Sequence, residues 1–91
     1  MFELLTDPIN ELRASRLSRK GAKAAKAADF DTSEELYRRG LAIMDRAFGN
    51  VEATAAYTFS LGGVLVMRGR LEEAVPFFER TLVIWEKRWT R

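Results

Sequence analysis

The stretch Ala28-Asp29-Phe30-Asp31-Thr32-Ser33-Glu34-Glu35-Leu36-Tyr37-Arg38-Arg39-Gly40-Leu41 returns 41 positions later as Gly69-Arg70-Leu71-Glu72-Glu73-Ala74-Val75-Pro76-Phe77-Phe78-Glu79-Arg80-Thr81-Leu82. Phe30 becomes Leu71, Ser33 becomes Ala74, Leu36-Tyr37 becomes Phe77-Phe78, and Leu41 becomes Leu82. The register extends outward in both directions, with Gly21 matching Gly62 and Ile43 matching Ile84. Small residues return to small positions and large apolar residues to large ones. A unit of this kind cannot bury its own apolar face and must stack on a neighbour.

Apolar residues on either side recur at three and four rather than at two, and only two prolines and six glycines interrupt them, so the chain reads as all-α. Asp7 and Pro8 open a first helix running to about Ala28, with Leu17, Gly21, Ala24 and Ala28 along its inner stripe. Asp31-Thr32-Ser33-Glu34 reads as the cap of a second helix, the acid standing three residues after the capping residue. That helix runs to about Phe48 and stops at Gly49-Asn50. A third spans roughly Val51 to Arg68 and closes at Gly69, and a fourth runs from about Leu71 to near Thr90. Pro76 lies in its early turns and implies a slight bend. Phe2, Leu4 and Leu5 form either a short extra turn on the core or a frayed end.

The 91 residues thus make one domain, with repeat one at about 8–49, repeat two at about 50–90, and residues 1–6 as an extension. Apolar content of 47% suits a folded protein. The absence of cysteine excludes disulfides, thiolate metal sites and thiol nucleophiles, and the absence of histidine removes the commonest general base. No carboxylate pair, phosphate-cradling loop or metal-ligand set is recognisable, so no enzyme activity, metal or cofactor is expected. The amino terminus lacks a signal-peptide pattern and no apolar run reaches bilayer length, which points to a cytoplasmic protein. The net charge of +2 leaves a mild bias toward acidic partners.

The two quoted stretches resemble the tetratricopeptide repeat, and more closely its long-helix variety from kinesin light chains. The likeness covers about residues 14 to 86, and a 41-residue period lengthens each helix by about a turn over the family's ~34 residues. It implies a right-handed stack of two helical hairpins, four main helices in all, that binds other proteins. Some family positions depart from the pattern. The buried leucine before the glycine is Lys20 in repeat one, although Leu61 fits in repeat two. The asparagines that kinesin-type repeats set beside the glycine are here Arg19 with Ala22, and Ser60 with Gly63. In such arrays the first helix of each hairpin lines a concave surface, which implies a partner groove at Ser18, Arg19, Ala22, Lys26, Phe59, Ser60, Gly63 and Met67.

Arg13, Arg16, Arg19, Lys20, Lys23 and Lys26 fall within an arc of roughly 140° on the first helix. Three readings stand: a solvated face, with Lys20 ending the array because no earlier helix covers it; a patch for an acidic peptide; or a weak, salt-dependent nucleic-acid surface. On the fourth helix Leu71, Val75, Phe78, Leu82 and Trp85 are expected to meet the third helix. Phe77, Ile84 and Trp89 would then be left in water, because no third repeat follows Arg91. Such a strip marks an interface, a homodimer through Phe77, Ile84, Trp85 and Trp89, unless Phe2, Leu4 and Leu5 cover it or the chain is a piece of a longer array. The functional expectation is a non-catalytic protein-interaction module that also self-associates. The alternatives are a purely structural self-assembly module and a weak nucleic-acid binder.

Overall fold

The computed structural model describes residues 8–89, with side chains from 8 to 87. Four α-helices follow one another: α1 Pro8–Lys26, α2 Phe30–Ala47, α3 Glu52–Met67 and α4 Leu71–Trp89. No strand occurs among the described residues. Helices α1 and α2 pair as one hairpin, α3 and α4 as a second, and the hairpins stack through α2 and α3. The expected cap Asp7 and the residues Phe2, Leu4 and Leu5 lie outside the described residues.

The two hairpins turn in the same way. Asp29 N–H donates to Ala24 O at 2.8 Å and Ala28 N–H to Ala25 O at 2.9 Å. Their counterparts 41 positions on, Arg70 to Leu65 and Gly69 to Val66, are both 2.9 Å. This paired closure needs a left-handed residue, which glycine supplies without strain at Gly69 (φ 76°). Repeat one puts Ala28 there at φ 62°, so Ala28 belongs to the turn and not to the inner stripe expected of it. The cap of α2 also differs from expectation. Asp29, not Asp31, accepts a hydrogen bond from Thr32 N–H at 3.3 Å, and α2 begins at Phe30. Glu34 is thereby freed for a different task. Helix α4 continues through Pro76.

Small residues set the helix spacing. A Cβ on Gly21 would lie 3.1 Å from the Tyr37 ring, and one on Gly62 would lie 2.7 Å from the Phe78 ring. At the junction between hairpins, a Cβ on Gly40 would lie 3.0 Å from the Tyr57 ring. The core gathers Ala14, Tyr37, Leu41, Met44, Tyr57, Leu61, Val64, Leu65 and Ala74. Burial pushes the Tyr57 phenol up in pKa, and the Glu11 carboxylate adds to the shift.

The buried hydroxyls are satisfied within the stack. Ser33 Oγ donates to Gly21 O at 2.8 Å across the first hairpin. In the second, Thr58 and Thr81 hydroxyls meet at 2.6 Å. Each also lies within bonding distance of a carbonyl of its own helix, at Ala55 and Phe77. A hydroxyl has one proton. One threonine therefore donates to its neighbour and the other to its carbonyl.

Candidate protein-interaction face

Helix α4 presents the opposite faces from those expected. Among the described side chains it buries Ala74, Thr81 and Ile84, Ile84 to 5% exposure, while Phe77 is half-buried against the core with the Arg38 guanidinium 5.6 Å above its ring. Phe77 and Ile84 are thus unavailable as an exposed strip, and the side chain of Trp89 is outside the described residues. The physical reason is the same closeness that selected the glycines. Where α4 approaches α3 most closely it places the small Ala74 and Thr81, and Phe78 enters only over the gap left by Gly62, which leaves Leu71, Val75 and Leu82 on the outer side.

Of the stripe expected to meet α3, Phe78 does so over Gly62 and Trp85 reaches it through Phe59, but most of the stripe is left open. Leu71, Val75, Leu82 and Trp85 are 59%, 48%, 54% and 39% exposed, with Phe78 half-buried among them. Their counterparts in repeat one are Phe30, Glu34, Leu41, Met44 and Tyr37. Leu41, Met44 and Tyr37 are buried together with Tyr57, Leu61 and Val64 of α3. A helix in the place of α3 is what the second hairpin lacks among the described residues. Phe59 of α3 joins this face, its ring 5.8 Å from Phe78 and 5.9 Å from Trp85, both tilted, and it remains half in solvent. Val66 and Met67 are also exposed on α3.

Of the residues assigned to a concave groove, Arg19, Ala22, Lys26, Phe59 and Met67 are exposed, and Ser18, Ser60 and Gly63 are half-buried. Phe59 is drawn to the α4 side by its ring contacts and forms part of the open end. The six cations of α1 are all exposed, and none is ion-paired among the described residues. Arg13, Arg16 and Lys20 line one groove with Leu17, Arg39 and Ile43. Arg39 and Arg46 of α2 were not anticipated at this end. Their spacing of one heptad on α2 was the signal that could have found them. Where repeat two buries Tyr57 and Leu61 against the first hairpin, repeat one carries Arg16 and Lys20 in water.

Comparison with protein families matches the chain to the tetratricopeptide repeat over residues 13–87. The chain belongs to the tetratricopeptide repeat family. Curated proteins and solved structures gave no match. Members of this family are in general protein-binding modules, and this tetratricopeptide stack carries the family's all-α hairpin architecture. No helix among the described residues is long and apolar enough to cross a membrane.

The strongest electrostatic feature of this tetratricopeptide domain lies at the junction of its repeats and was read from sequence only as a helix cap. Glu34, buried to 7% exposure, accepts from Arg38 Nε at 2.9 Å, Arg68 at 2.9 Å and Arg70 at 2.7 Å. Burial pushes its carboxyl pKa up, but the hydrogen bonds from Arg38 and Arg70 outweigh it, and the net shift is downward. Arg70 also makes a two-pronged pair with Glu73, at 2.9 and 2.7 Å, which raises the guanidinium pKa and lowers that of the carboxyl. Arg68 reaches Asp31, and Arg80 reaches Asp45 and Asn50. Arg68 and Arg70 sit at the second hairpin's turn and Arg80 on α4, so the carboxylates of α2 fasten one repeat to the next.

Proposed function

We propose that the protein is a non-catalytic interaction module whose working face is the open end of its second hairpin, where it takes up a helix of another protein. The observation that carries this reading is the unequal fate of equivalent residues: Leu41 and Met44 are buried by α3, whereas Leu82 and Trp85 are exposed in the same register. An apolar surface that a neighbouring helix covers in one repeat is suited to a helix in the next. Tryptophan and phenylalanine at its centre supply anchors of the type that dominate binding energies.

A second copy of the chain would also fit, since a two-fold pairing of α4 lets one patch cover itself. This reading keeps the self-association expected from sequence, with Trp85 in it, but replaces Phe77 and Ile84 by Leu71, Val75 and Leu82. The convergence of Arg13, Arg16, Lys20 and Arg39 around one groove supports a separate, acidic ligand at the other end. Solution mass against concentration, on the parent and on Leu82→Glu with Trp85→Glu, tests the open end. The reading expects the double variant to abolish association, whether with itself or with a helical partner, at unchanged melting temperature. Association that survives the double variant would contradict it.

A further inference from the structure

The charges around the open end select its occupant. On α4, Glu72, Glu79 and Glu86 recur every seven residues and are all exposed, each directly following a member of the apolar stripe. With ~100° per residue they form one acidic edge along the stripe Leu71–Val75–Phe78–Leu82–Trp85. Helix α3 adds no cation to the face, because residues 52 to 67 contain none. The junction inside the molecule shows how such an edge is used. Asp31, the repeat-one counterpart of Glu72, pairs with Arg68, which directly follows the carboxyl end of the docked helix α3.

From this we infer that the open end accepts a partner's amphipathic helix that lies antiparallel to α4 and carries arginine or lysine at its carboxyl end, facing Glu72. This rests on the open end being the working face.

The other two occupants fit less well. A second copy paired two-fold at the level of Phe78 and Glu79 brings the two copies of Glu79 together on the same side of the pair. Like charges so placed oppose pairing. Head-to-tail stacking would dock α1 in place of a third hairpin's first helix. That puts Arg13, Arg16, Lys20 and Lys23 where α3 uses Thr54, Tyr57, Leu61 and Val64. One further residue sets specificity. Tyr57 docks over Gly40, but the counterpart of Gly40 is Thr81, buried to 2% and bonded to Thr58. The incoming helix must therefore be small where α3 has tyrosine.

The probe is a synthetic peptide copying residues 52–70 with Tyr57→Ala and blocked termini, which keeps the apolar stripe and the basic carboxyl end. A second peptide carries Arg68→Glu and Arg70→Glu as well. Titrated into the full chain at low salt, the basic peptide is expected to bind about fivefold more tightly than the acidic one. Glu72→Lys is expected to reverse the preference, and Leu82→Glu to lose both peptides. Equal binding of the two peptides, both lost on Leu82→Glu, would overturn the charge-selected helix while leaving the open end as a docking face. A stable two-fold dimer of the parent chain that Leu82→Glu dissociates would likewise overturn the charge-selected helix alone, whereas binding of neither peptide by a monomeric parent chain would overturn both.

Discussion

Inside the molecule α3 lies over Tyr37, Leu41 and Met44, whereas at the end of the stack Phe78, Leu82 and Trp85 hold the same register with no helix above them among the described residues. The two surfaces come from one repeat, so their differences show what each has been left to do. The inner junction adds ionic fasteners to its apolar contact, centred on Glu34, where the outer face has Val75. It also accepts a large ring over Gly40, whereas the equivalent Thr81 is filled and buried against Thr58 and leaves no such gap. The opposite end of the stack differs again. There Arg16 and Lys20 replace the residues that would be buried under an earlier repeat, and the surface is polar enough to end an array.

The largest effect expected from breaking this equivalence is on Leu41 and Leu82. Leu41→Ala empties a site between two helices and is expected to cost about 3 kcal/mol, whereas Leu82→Ala is expected to cost under ~1 kcal/mol. Denaturant unfolding of both variants checks the difference, and equal losses would mean that the outer face is already covered.

Next comes the ionic fastener. Glu34 has a lowered pKa in the folded chain, so its stabilisation is complete above the unfolded carboxylate value of about 4.3 and is lost as pH falls through the folded value. Glu34→Gln is expected to remove about 2 kcal/mol at neutral pH and to flatten the loss of stability below about pH 4. Chemical denaturation of parent and variant from pH 7 to pH 3 measures both effects. A parallel pair of curves would contradict the role given to Glu34.

A smaller and opposite pair of effects is expected at the hairpin turns. Ala28→Gly relieves a left-handed alanine and is expected to raise stability by about 1 kcal/mol, while Gly69→Ala is expected to lower it by a similar amount. Thermal melts that move in the same direction for both would break the equivalence of the two turns.

The period of the repeat made the four helices and the family legible, because glycines and large apolar residues returned in register over most of the chain. The phase of α4 was not legible. Both of its sides carry large apolar residues, and size alone pointed to Phe78 and Leu82 as core and to Phe77 and Ile84 as surface. The deciding signal was the small set Ala74 and Thr81, matched by Ser33 and Gly40 in repeat one, which marks where helices approach most closely. The junction around Glu34 was hidden for a different reason. Two of its three arginines lie 34 and 36 residues away, at the turn of the other hairpin, and a local capping pattern explained the same glutamate. The polar end was anticipated from Lys20 and the cations around it on the first helix; the structure adds Arg39 and Arg46 to it.

The difference between the two ends is tested most directly by backbone amide shifts during titration with the basic peptide copy of residues 52–70 carrying Tyr57→Ala. The account predicts that the shifted amides cluster at Phe59, Val66, Leu71, Val75, Leu82 and Trp85. Shifts gathered instead around Arg16, Arg19, Lys20 and Arg39 would place the working face at the other end of the stack and contradict it.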